Sequence, residues 1–314
     1  MNVIFQYSAG RWLREQLTSL ARHGLAIESC DEGDEERFFG LLSGAEVIWH
    51  VLKPISADVI ARGPKLRLIQ KIGVGVNTID LDAARKRDIP VCNMPGTNSR
   101  AVAEMTLLLI LAALRRLPLL DRRTRNGLGW ARDPALTDAF GELQGLTVGL
   151  VGYGTVPRIL TPCLMALGAT VIYTARGPRP DAAAPFRPLD RLLTESDVVS
   201  LHVPLTVDTR GMLDRARIFA MKPGAILINT ARGGLTDEAA LADALRTGRL
   251  SAAGLDVFAE EPVHPDNPLL SLDNVVLAPH VAWLTRGTLV RSFEVAVENC
   301  RRLGSGEPLL HRVI

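Results

Sequence analysis

A short glycine-rich turn is the first segment of the sequence whose residue types and spacing could do chemistry. The apolar run ending at Val151 leads into Gly152 and Gly154, and a helical pattern follows. In such a turn the first glycine allows the tight bend, and the second lets the backbone approach a pyrophosphate. Free N–H groups at the following helix terminus would bind that anion. The segment therefore predicts a dinucleotide site, with a plain turn before a helix as the alternative, since Pro157 replaces the third glycine of the usual pattern.

The segment after the next apolar run indicates which dinucleotide would bind. About 20 residues beyond such a turn, a carboxylate usually binds the ribose hydroxyls of NAD. Here Arg176 and Arg179 follow the run ending at Thr174, with no carboxylate between them. Because arginine binds a 2′-phosphate that a carboxylate would repel, we expect NADP to be preferred over NAD. Two solvated loop arginines are the alternative interpretation.

Three later segments place charged side chains and an imidazole just behind apolar, strand-like runs. The first segment holds Arg232, the second holds Asp256 and Glu261, and the third holds His280. The ends of parallel strands converge at the crevice where open α/β sheets bind ligands. The sequence therefore predicts that these side chains belong to one ligand site.

The elements that must position these residues follow from the hydrophobic pattern. Short apolar runs alternate with helical patterns over 2–92 and again over 147–278, with a long apolar helix at 101–117 between the two series. This alternation predicts parallel sheets covered by helices. A polar, arginine-rich excursion at 118–145 has the length of a functional or subunit-bridging segment. Pro157 and Pro162 predict an irregular helix behind the glycine turn.

Composition excludes several classes of protein. The 314 residues correspond to about two domains. The 36 basic and 34 acidic residues argue against a nucleic-acid binder or a polybasic membrane protein. No apolar run reaches the roughly 20 residues of a membrane span, and no signal peptide is visible. The four irregularly spaced cysteines fit neither a zinc site nor a disulfide framework, so we expect a cytoplasmic protein without a metal.

Taken together, the motifs resemble those of the D-isomer-specific 2-hydroxyacid dehydrogenase family. The intervals of 29 residues from Arg232 to Glu261 and 19 residues from Glu261 to His280 match that family. Further matching segments are Gly73–Asp80, Asn93–Asn98, Ala101–Glu104, the glycine turn and His202–Thr206. The resemblance covers nearly the whole chain, and it is more specific for the family than for a substrate.

The resemblance implies an α/β architecture of two doubly wound parallel-sheet domains with a cleft between them. A flavodoxin-like substrate domain would comprise residues 1–96 and 285–314, and a Rossmann-type dinucleotide-binding domain would comprise residues 97–284. Closure of the cleft would exclude water and assemble the site. The helix from Ala101 and the excursion at 118–145 would form the interface of a homodimer.

The resemblance also implies residue roles that agree with their chemistry. His280 would be the acid/base, Glu261 would pair with its imidazole, and Arg232 would bind the substrate carboxylate or the adjacent carbonyl oxygen. The expected cofactor-binding residues are Gly152, Gly154, Thr155, Val156, Arg176, Arg179, His202, Pro204, Thr230, Ala231 and Asp256, the last through the nicotinamide carboxamide. The expected substrate-binding residues are Val74, Gly75, Asn98, Arg232 and Trp283.

Within the family, the segments 173–176 and 279–283 resemble those of glyoxylate and hydroxypyruvate reductases. The predicted reaction is therefore NAD(P)-dependent reduction of a small 2-keto acid. D-3-phosphoglycerate dehydrogenase is the alternative, for which Lys53, Arg100 and Arg286 are candidate phosphate ligands. A dinucleotide-sensing interaction protein is the alternative from another class, and the presence of Arg232, Glu261 and His280 argues against it.

Overall fold

The computed structural model describes residues 1–131 and 133–314 of the chain. The chain divides into two compact units. The first unit consists of Met1–Asn98 and Thr285–Ile314, and the second consists of Ser99–Leu284. The sequence predicts these boundaries at 96/97 and 284/285. The second position is the same in the structure, and the first lies two residues before the boundary that the structure gives.

The first unit is built on a five-stranded parallel sheet in the order β2-β1-β3-β4-β5. This is the strand order of the flavodoxin-like doubly wound fold. The strands are β1 (Asn2–Gln6), β2 (Ala26–Cys30), β3 (Val47–His50), β4 (Leu68–Lys71) and β5 (Val91–Cys92). The helices are α1 (Arg11–Ser19, continued by a 3₁₀ turn at Leu20–His23), α2 (Glu35–Leu42), α3 (Ala57–Arg62), α4 (Leu81–Lys86) and, from the end of the chain, α12 (Arg286–Ser305).

Alternating side chains of these strands pack on both faces of the sheet. Ile4 and Ile48 face a cluster that includes Phe38 of α2. On the opposite face, Trp49 stacks on Phe293 of α12 with ring centroids 5.6 Å apart. Because both faces are covered, the central strands β1 and β3 consist largely of apolar residues, as is typical of buried parallel sheets.

The second unit is built on a six-stranded parallel sheet in the order β11-β10-β9-β8-β6-β7. The strands are β6 (Thr147–Val151), β7 (Thr170–Thr174), β8 (Val198–Leu201), β9 (Ala225–Asn229), β10 (Leu250–Leu255) and β11 (Val275–Leu277). The helices are α5 (Ser99–Leu114), α6 (Leu117–Arg125), α7 (Pro134–Asp138), α8 (Thr155–Ala166), α9 (Leu189–Glu195), α10 (Arg215–Ala220) and α11 (Glu238–Arg246). Short 3₁₀ turns lie at Gly233–Leu235 and Pro268–Ser271. The expected architecture of two doubly wound parallel-sheet units is confirmed.

Helix α5 lies directly against the sheet of the second unit. A side chain at Gly254 of β10 would meet Leu109 of α5 and Ile228 of β9, since an added Cβ would lie 2.9 Å from an atom of each. Glycine at this position therefore lets the helix approach the strand closely. The contact explains why the helix is apolar on several sides.

Three local expectations were wrong or incomplete. The edge strand β2 was not predicted, because only Cys30 of its five residues is fully buried and its composition is partly polar. The long helix ends at Leu114 and not at Leu117, because Arg116 adopts a left-handed φ of 53°. The excursion at 118–145 contains the two helices α6 and α7.

The helix behind the glycine turn is continuous. Helix α8 runs without interruption from Thr155 to Ala166, although Pro162 lies inside it. Pro162 has no N–H to donate to the preceding turn. The hydroxyl of Thr161, one residue earlier, donates to the carbonyl oxygen of Pro157 at 2.8 Å, which adds a side-chain hydrogen bond at this point of the helix.

Candidate active site

The glycine turn joins the end of β6 to the start of α8. Gly152 has a φ of 98°, and a Cβ added there would lie 2.5 Å from the carbonyl oxygen of His202. A side chain is therefore excluded both by backbone conformation and by the strand end beside it. At Gly154, by contrast, an added Cβ would meet no atom within 4 Å. The turn is closed on one side and open at its second glycine, which leaves room for a ligand to approach the backbone.

The start of α8 is suited to an anion. Gly154 is the N-cap residue and, having no side chain, makes no capping hydrogen bond at this helix terminus. The first N–H groups of a helix have no partner within the helix, and the helix dipole adds partial positive charge there. Thr155 and Val156 therefore present donors toward the open side of the turn, although Pro157 removes one donor. These features fit the pyrophosphate of a dinucleotide.

The loop behind β7 is held by a buried tyrosine. The backbone N–H of Arg179 donates to the hydroxyl of Tyr173 at 2.5 Å, and Arg158 of α8 forms an ion pair with Asp181 at 2.8 Å. Arg176 and Arg179 are both exposed. In the part of the chain that the structure describes, neither guanidinium forms an ion pair within 4 Å of a carboxylate. Both cations are therefore available at the end of β7.

An imidazole–carboxylate pair forms the centre of the site. Nδ1 of His280 lies 2.5 Å from Oε2 of Glu261, with 15% of the histidine side chain and 32% of the glutamate side chain exposed. The other oxygen of Glu261, Oε1, accepts the N–H of Phe258 at 2.9 Å. Burial raises the pKa of Glu261, but the hydrogen bond and charge of His280 outweigh it, so this pKa lies below its ordinary value. The pair orients Nε2 of the imidazole away from Glu261.

Asp256, at the end of β10, fixes the loop that carries His280. Its two carboxylate oxygens accept the N–H groups of Val281 and Ala282, each at 2.8 Å. Its carbonyl oxygen accepts the N–H of His280 at 2.7 Å. His280 itself has a left-handed φ of 56°, an unfavourable conformation for a residue with a side chain. Three hydrogen bonds to one residue therefore hold His280 in this conformation.

The carboxylate of Asp256 is buried, with 1% of the residue exposed. Burial raises its pKa, while the two N–H groups and the nearby His280 oppose that increase. The sequence analysis assigned Asp256 to the nicotinamide carboxamide. Each carboxylate oxygen keeps a second lone pair for such a contact, so that role stays a prediction beside the hydrogen bonds that the structure shows.

Arg232 lies on the loop behind β9, and the amide of Asn229 shapes this loop. Oδ1 of Asn229 accepts the N–H of Ala231 at 3.0 Å, and Nδ2 donates to the carbonyl oxygen of Arg232 at 2.9 Å. Burial lowers the pKa of Arg232, and the carboxylate of Glu261 counteracts this effect. The charges of Arg232 and Glu261 therefore interact, which links the guanidinium to the Glu261–His280 pair.

The neighbouring Gly233 explains how the two loops come together. A Cβ at Gly233 would lie 1.8 Å from the carbonyl carbon of Phe258 and 2.3 Å from the nitrogen of Ala259. The backbone behind Arg232 is thus in direct contact with the backbone that leads to Glu261. No other residue type fits without moving one of the loops.

The remaining cofactor candidates of the second unit lie at strand ends. Nε2 of His202 lies 2.9 Å from the hydroxyl of Ser200, and burial lowers the pKa of His202 to about 3, so its imidazole is neutral. The hydroxyl of Thr230 lies 2.9 Å from that of Thr106 on α5. Pro204 is exposed behind His202. The structure thus places His202 beside the glycine turn and anchors Thr230 to α5.

The substrate candidates are divided between the two units. In the first unit, Val74 is exposed, and its carbonyl oxygen accepts Nδ2 of Asn93 at 3.0 Å. Gly75 follows it, and Asn98 is half-buried at the end of this unit's first segment. In the second unit, the indole N–H of Trp283 donates to the carbonyl oxygen of His280 at 3.1 Å. Trp283 therefore supports the backbone of the histidine loop.

The structure brings Arg232, Asp256, Glu261 and His280, which the sequence assigns to one site, together in space. Sequence reasoning missed Asn229 and Tyr173. A buried polar residue at the end of an apolar strand was the signal available for Asn229. Tyr173 carried no signal, because a tyrosine in a strand is ordinarily a core residue.

No group of three or more His, Cys, Asp or Glu side chains among residues 1–131 and 133–314 is arranged to hold a metal ion. Over the same residues, every helix falls short of the length and apolar character needed to cross a membrane.

A glycine turn at the start of a helix, together with an Arg–Glu–His group at neighbouring strand ends, is the combination expected of a dinucleotide-dependent oxidoreductase. A family model described as the NAD binding domain of D-isomer specific 2-hydroxyacid dehydrogenases matches residues 107–282. The chain belongs to this family, and the resemblance found in the sequence is confirmed. Membership makes the protein an oxidoreductase of 2-hydroxy acids that uses a nicotinamide dinucleotide.

Curated relatives carry two different names. The chain is 39% identical over 261 residues to a glyoxylate reductase of Aeropyrum pernix, covering 81% of this chain and 78% of that one. It is 38% identical over 263 residues to a D-3-phosphoglycerate dehydrogenase of Archaeoglobus fulgidus. That alignment covers 82% of this chain but 49% of the relative, so the chain spans about half the length of that relative.

Among solved structures, the TT0316 protein of Thermus thermophilus is similar to this chain over the whole length of both proteins. It superposes with a TM-score of 0.90 at 40% sequence identity, with 100% of both chains covered. The similarity therefore extends over both units of the chain.

Replacing the site carboxylate is expected to change the pH dependence of stability. The folded state lowers the pKa of Glu261 below its ordinary value of 4.5. The charged group therefore stabilises the fold fully above that value, and this contribution is lost as pH falls through the lowered pKa. Urea unfolding of wild type and Glu261→Gln, between about pH 3 and pH 7, measures the difference. The difference in free energy of unfolding between the two proteins should be largest near neutral pH and should decrease in acid.

The matched control is Glu260→Gln, which removes the adjacent exposed carboxylate. A wild-type minus Glu261→Gln difference that stays constant over the whole pH range would contradict the assignment of the stabilising pair.

Proposed function

We propose that this protein is an NADPH-dependent reductase of small 2-keto acids such as glyoxylate and hydroxypyruvate. The observation that carries the proposal is the 2.5 Å contact between His280 and Glu261, beside a guanidinium that interacts electrostatically with Glu261. This arrangement combines a proton donor, a group that stabilises its protonated form, and a binding site for a carboxylate.

His280 supplies the proton in this mechanism. Its Nδ1 faces Glu261, so Nε2 is the atom that can donate to the carbonyl oxygen of the keto acid. The carboxylate of Glu261 stabilises the imidazolium before the transfer and holds the ring in one orientation. In the reverse direction the neutral imidazole removes the hydroxyl proton. A bound nicotinamide dinucleotide supplies or accepts the hydride.

Arg232 binds the anionic end of the substrate. A guanidinium can form two parallel hydrogen bonds with a carboxylate, which fixes both position and orientation. Its partial burial strengthens this attraction, because the charges interact in a medium of lower dielectric constant. The backbone N–H groups of Val74 and Gly75, with Asn98 and Trp283, are proposed as further substrate-binding groups on the strength of the family resemblance.

The dinucleotide is proposed to lie along the turn and the neighbouring strand ends of the second unit. The first N–H groups of α8 at Thr155 and Val156 would bind the pyrophosphate, Gly154 would leave room for its approach, and Gly152 permits the tight turn. The proposed contacts farther along the cofactor are those of His202, Pro204, Thr230, Ala231 and Asp256.

Preference for NADPH is proposed from the loop behind β7. Arg176 and Arg179 are exposed there, and the hydroxyl of Tyr173 fixes the backbone of Arg179. The nearest acidic residue of this loop, Asp181, is paired with Arg158. Positive charge therefore dominates at the position of the adenosine ribose, which favours a 2′-phosphate.

Two observations favour an unphosphorylated substrate over phosphohydroxypyruvate. The ammonium group of Lys53 is already bound to Glu35 at 2.9 Å and to the carbonyl oxygen of Glu32 at 2.7 Å. The guanidinium of Arg286 lies over the ring of Trp12, 5.3 Å from its centroid. Of the three candidate phosphate ligands, two therefore have other partners. The D-3-phosphoglycerate dehydrogenase activity and the sensor role remain the alternatives to be tested.

The enzyme is proposed to act as a homodimer. Several apolar side chains of α5, α6 and the following segment are exposed in the chain: Leu108, Leu111, Leu117, Leu128 and Trp130. An apolar surface of this kind is typical of an interface between protein chains. It coincides with the helix and the excursion that the family resemblance assigns to the dimer.

Initial rates with three keto acids test the proposed reaction. Glyoxylate, hydroxypyruvate and 3-phosphohydroxypyruvate are each assayed with NADPH and NADH. We expect rapid NADPH oxidation with the two unphosphorylated acids, because two of the three candidate phosphate ligands have other partners. His280→Ala should abolish turnover and retain NADPH binding, since the imidazole supplies the proton and does not hold the cofactor.

Preference for the phosphorylated acid would instead support D-3-phosphoglycerate dehydrogenase. An absence of turnover with all three acids, together with measurable NADPH binding, would support the dinucleotide-sensing alternative.

Removing either loop arginine is expected to reduce selectivity for NADPH. Loss of a hydrogen bond between charged groups corresponds to about tenfold in kcat/KM. Arg176→Ala and Arg179→Ala should therefore lower kcat/KM for NADPH by about that factor and leave the NADH value unchanged. Arg191→Ala, which removes a surface arginine paired with Glu195 on α9, is the control. Equal losses with both cofactors would show that these arginines do not recognise the 2′-phosphate.

A charge on the proposed interface is expected to dissociate the dimer. Trp130 is 87% exposed in the chain and Val207 is 94% exposed. Trp130→Asp should lower the mass measured by light scattering toward the 34.0 kDa of one chain, because a carboxylate would be buried without a partner. Val207→Asp, outside the proposed interface, should leave the mass unchanged. A wild-type mass of one chain would overturn the proposal.

A further inference from the structure

The exposed stretch 259–262, which carries Glu261, lies between two residues that pack against the core of the second unit, Phe258 and Val263. Ala259, Glu260, Glu261 and Pro262 are all exposed, although Phe258 just before them is buried. An exposed stretch has few packing contacts of its own, so hydrogen bonds contribute strongly to defining its position. The 2.5 Å contact between Glu261 and His280 therefore depends on whatever anchors this backbone.

Glu238 provides such an anchor from the start of α11. Its Oε1 accepts the N–H of Ala259 at 2.5 Å, and its Oε2 accepts Nδ2 of Asn267 at 2.9 Å. Ala259 precedes Glu261 by two residues, and Asn267 follows it by six. One carboxylate thus binds the chain on both sides of Glu261.

The position of Glu238 is itself well defined. Helix α11 buries Leu241 and Leu245 in the core of the second unit. The preceding residue, Asp237, caps the helix by accepting the N–H of Ala240 at 3.0 Å. Because Asp237 satisfies the helix terminus, the carboxylate of Glu238 is free to bind the loop. Asp237 therefore caps the helix, whereas Glu238 binds the loop.

We infer that Glu238 is a positioning residue for the Glu261–His280 pair. The inference rests on the proposed function, in which His280 donates the proton. Gly233 supports the same loop by backbone contact at Phe258. Glu238 holds the residues that follow, through its hydrogen bonds to Ala259 and Asn267. Without the carboxylate, Ala259 is released, and Glu261 can move away from Nδ1 of the imidazole. The consequence is slower proton transfer with unchanged binding of the cofactor.

The experiment compares kcat, KM and the solvent deuterium isotope effect for Glu238→Ala, Glu238→Gln and Asp243→Ala. Asp243 lies on the same helix, but its carboxylate binds Arg215 and Arg246 at the surface, so it is a matched control. A misplacement of about 1 Å at a reacting centre costs up to about 100-fold in rate.

For Glu238→Ala, we expect kcat to fall about tenfold or more, KM for NADPH to stay unchanged, and the isotope effect on kcat to rise. The isotope effect rises because proton transfer becomes more strongly rate-limiting. A simple loss of folded enzyme would lower kcat without changing the isotope effect. Glu238→Gln keeps one acceptor oxygen, so its kcat should lie between the wild-type and Glu238→Ala values. Asp243→Ala should behave as wild type.

Failure of this inference is distinguishable from failure of the proposed function. Wild type without activity on any of the keto acids would reject the proposed function itself. An active wild type, with kcat of both Glu238 variants equal to that of Asp243→Ala, would overturn the positioning role. If Glu238→Ala does not fold, Glu238→Gln decides alone, because its shape is conserved and its kcat must still fall below that of the control.

Discussion

The site depends on the carboxylate of Asp256, which holds the histidine loop against the end of β10. Its oxygens accept two consecutive backbone N–H groups, and its carbonyl oxygen accepts a third from His280. A buried carboxylate is costly unless such donors satisfy it. Here that requirement forces the loop behind β11 into one path. The left-handed backbone of His280 is a consequence of this path.

The other loops of the site are fixed relative to that one by close backbone contacts and by single side chains. Gly233 allows the arginine loop to touch the glutamate loop, and Asn229 shapes the arginine loop from within. Glu238 binds the glutamate loop from α11. The loops behind β9, β10 and β11 thus carry Arg232, Glu261 and His280, and contacts among these loops and with α11 fix their relative positions, as proton transfer over hydrogen-bond distances would require.

The proposed cofactor site also combines residues that the fold requires with residues that leave room for a ligand. Gly152 is required by a neighbouring carbonyl oxygen, whereas Gly154 leaves space beside the helix terminus. Pro157 costs one donor, but α8 continues through Pro162 to Ala166. Tyr173, buried in the sheet, reaches the exposed loop of Arg179 with its hydroxyl. In the proposed function, core packing and cofactor selectivity are therefore linked through one residue.

The sequence by itself determined the family, the two parallel-sheet units and the grouping of Arg232, Asp256, Glu261 and His280, because strand periodicity, glycine spacing and motif order are local properties of the chain. It could not reveal the edge strand β2, the end of α5 at Leu114, or the helices within 118–145, where the apolar pattern is weak. Only the tertiary structure decided that Glu238 and Asp256 bind distant backbone N–H groups, that Lys53 is paired with Glu35, and that Gly233 touches Phe258. These contacts join residues far apart in the chain, and a hydrogen bond across such a distance leaves no periodic trace in the sequence.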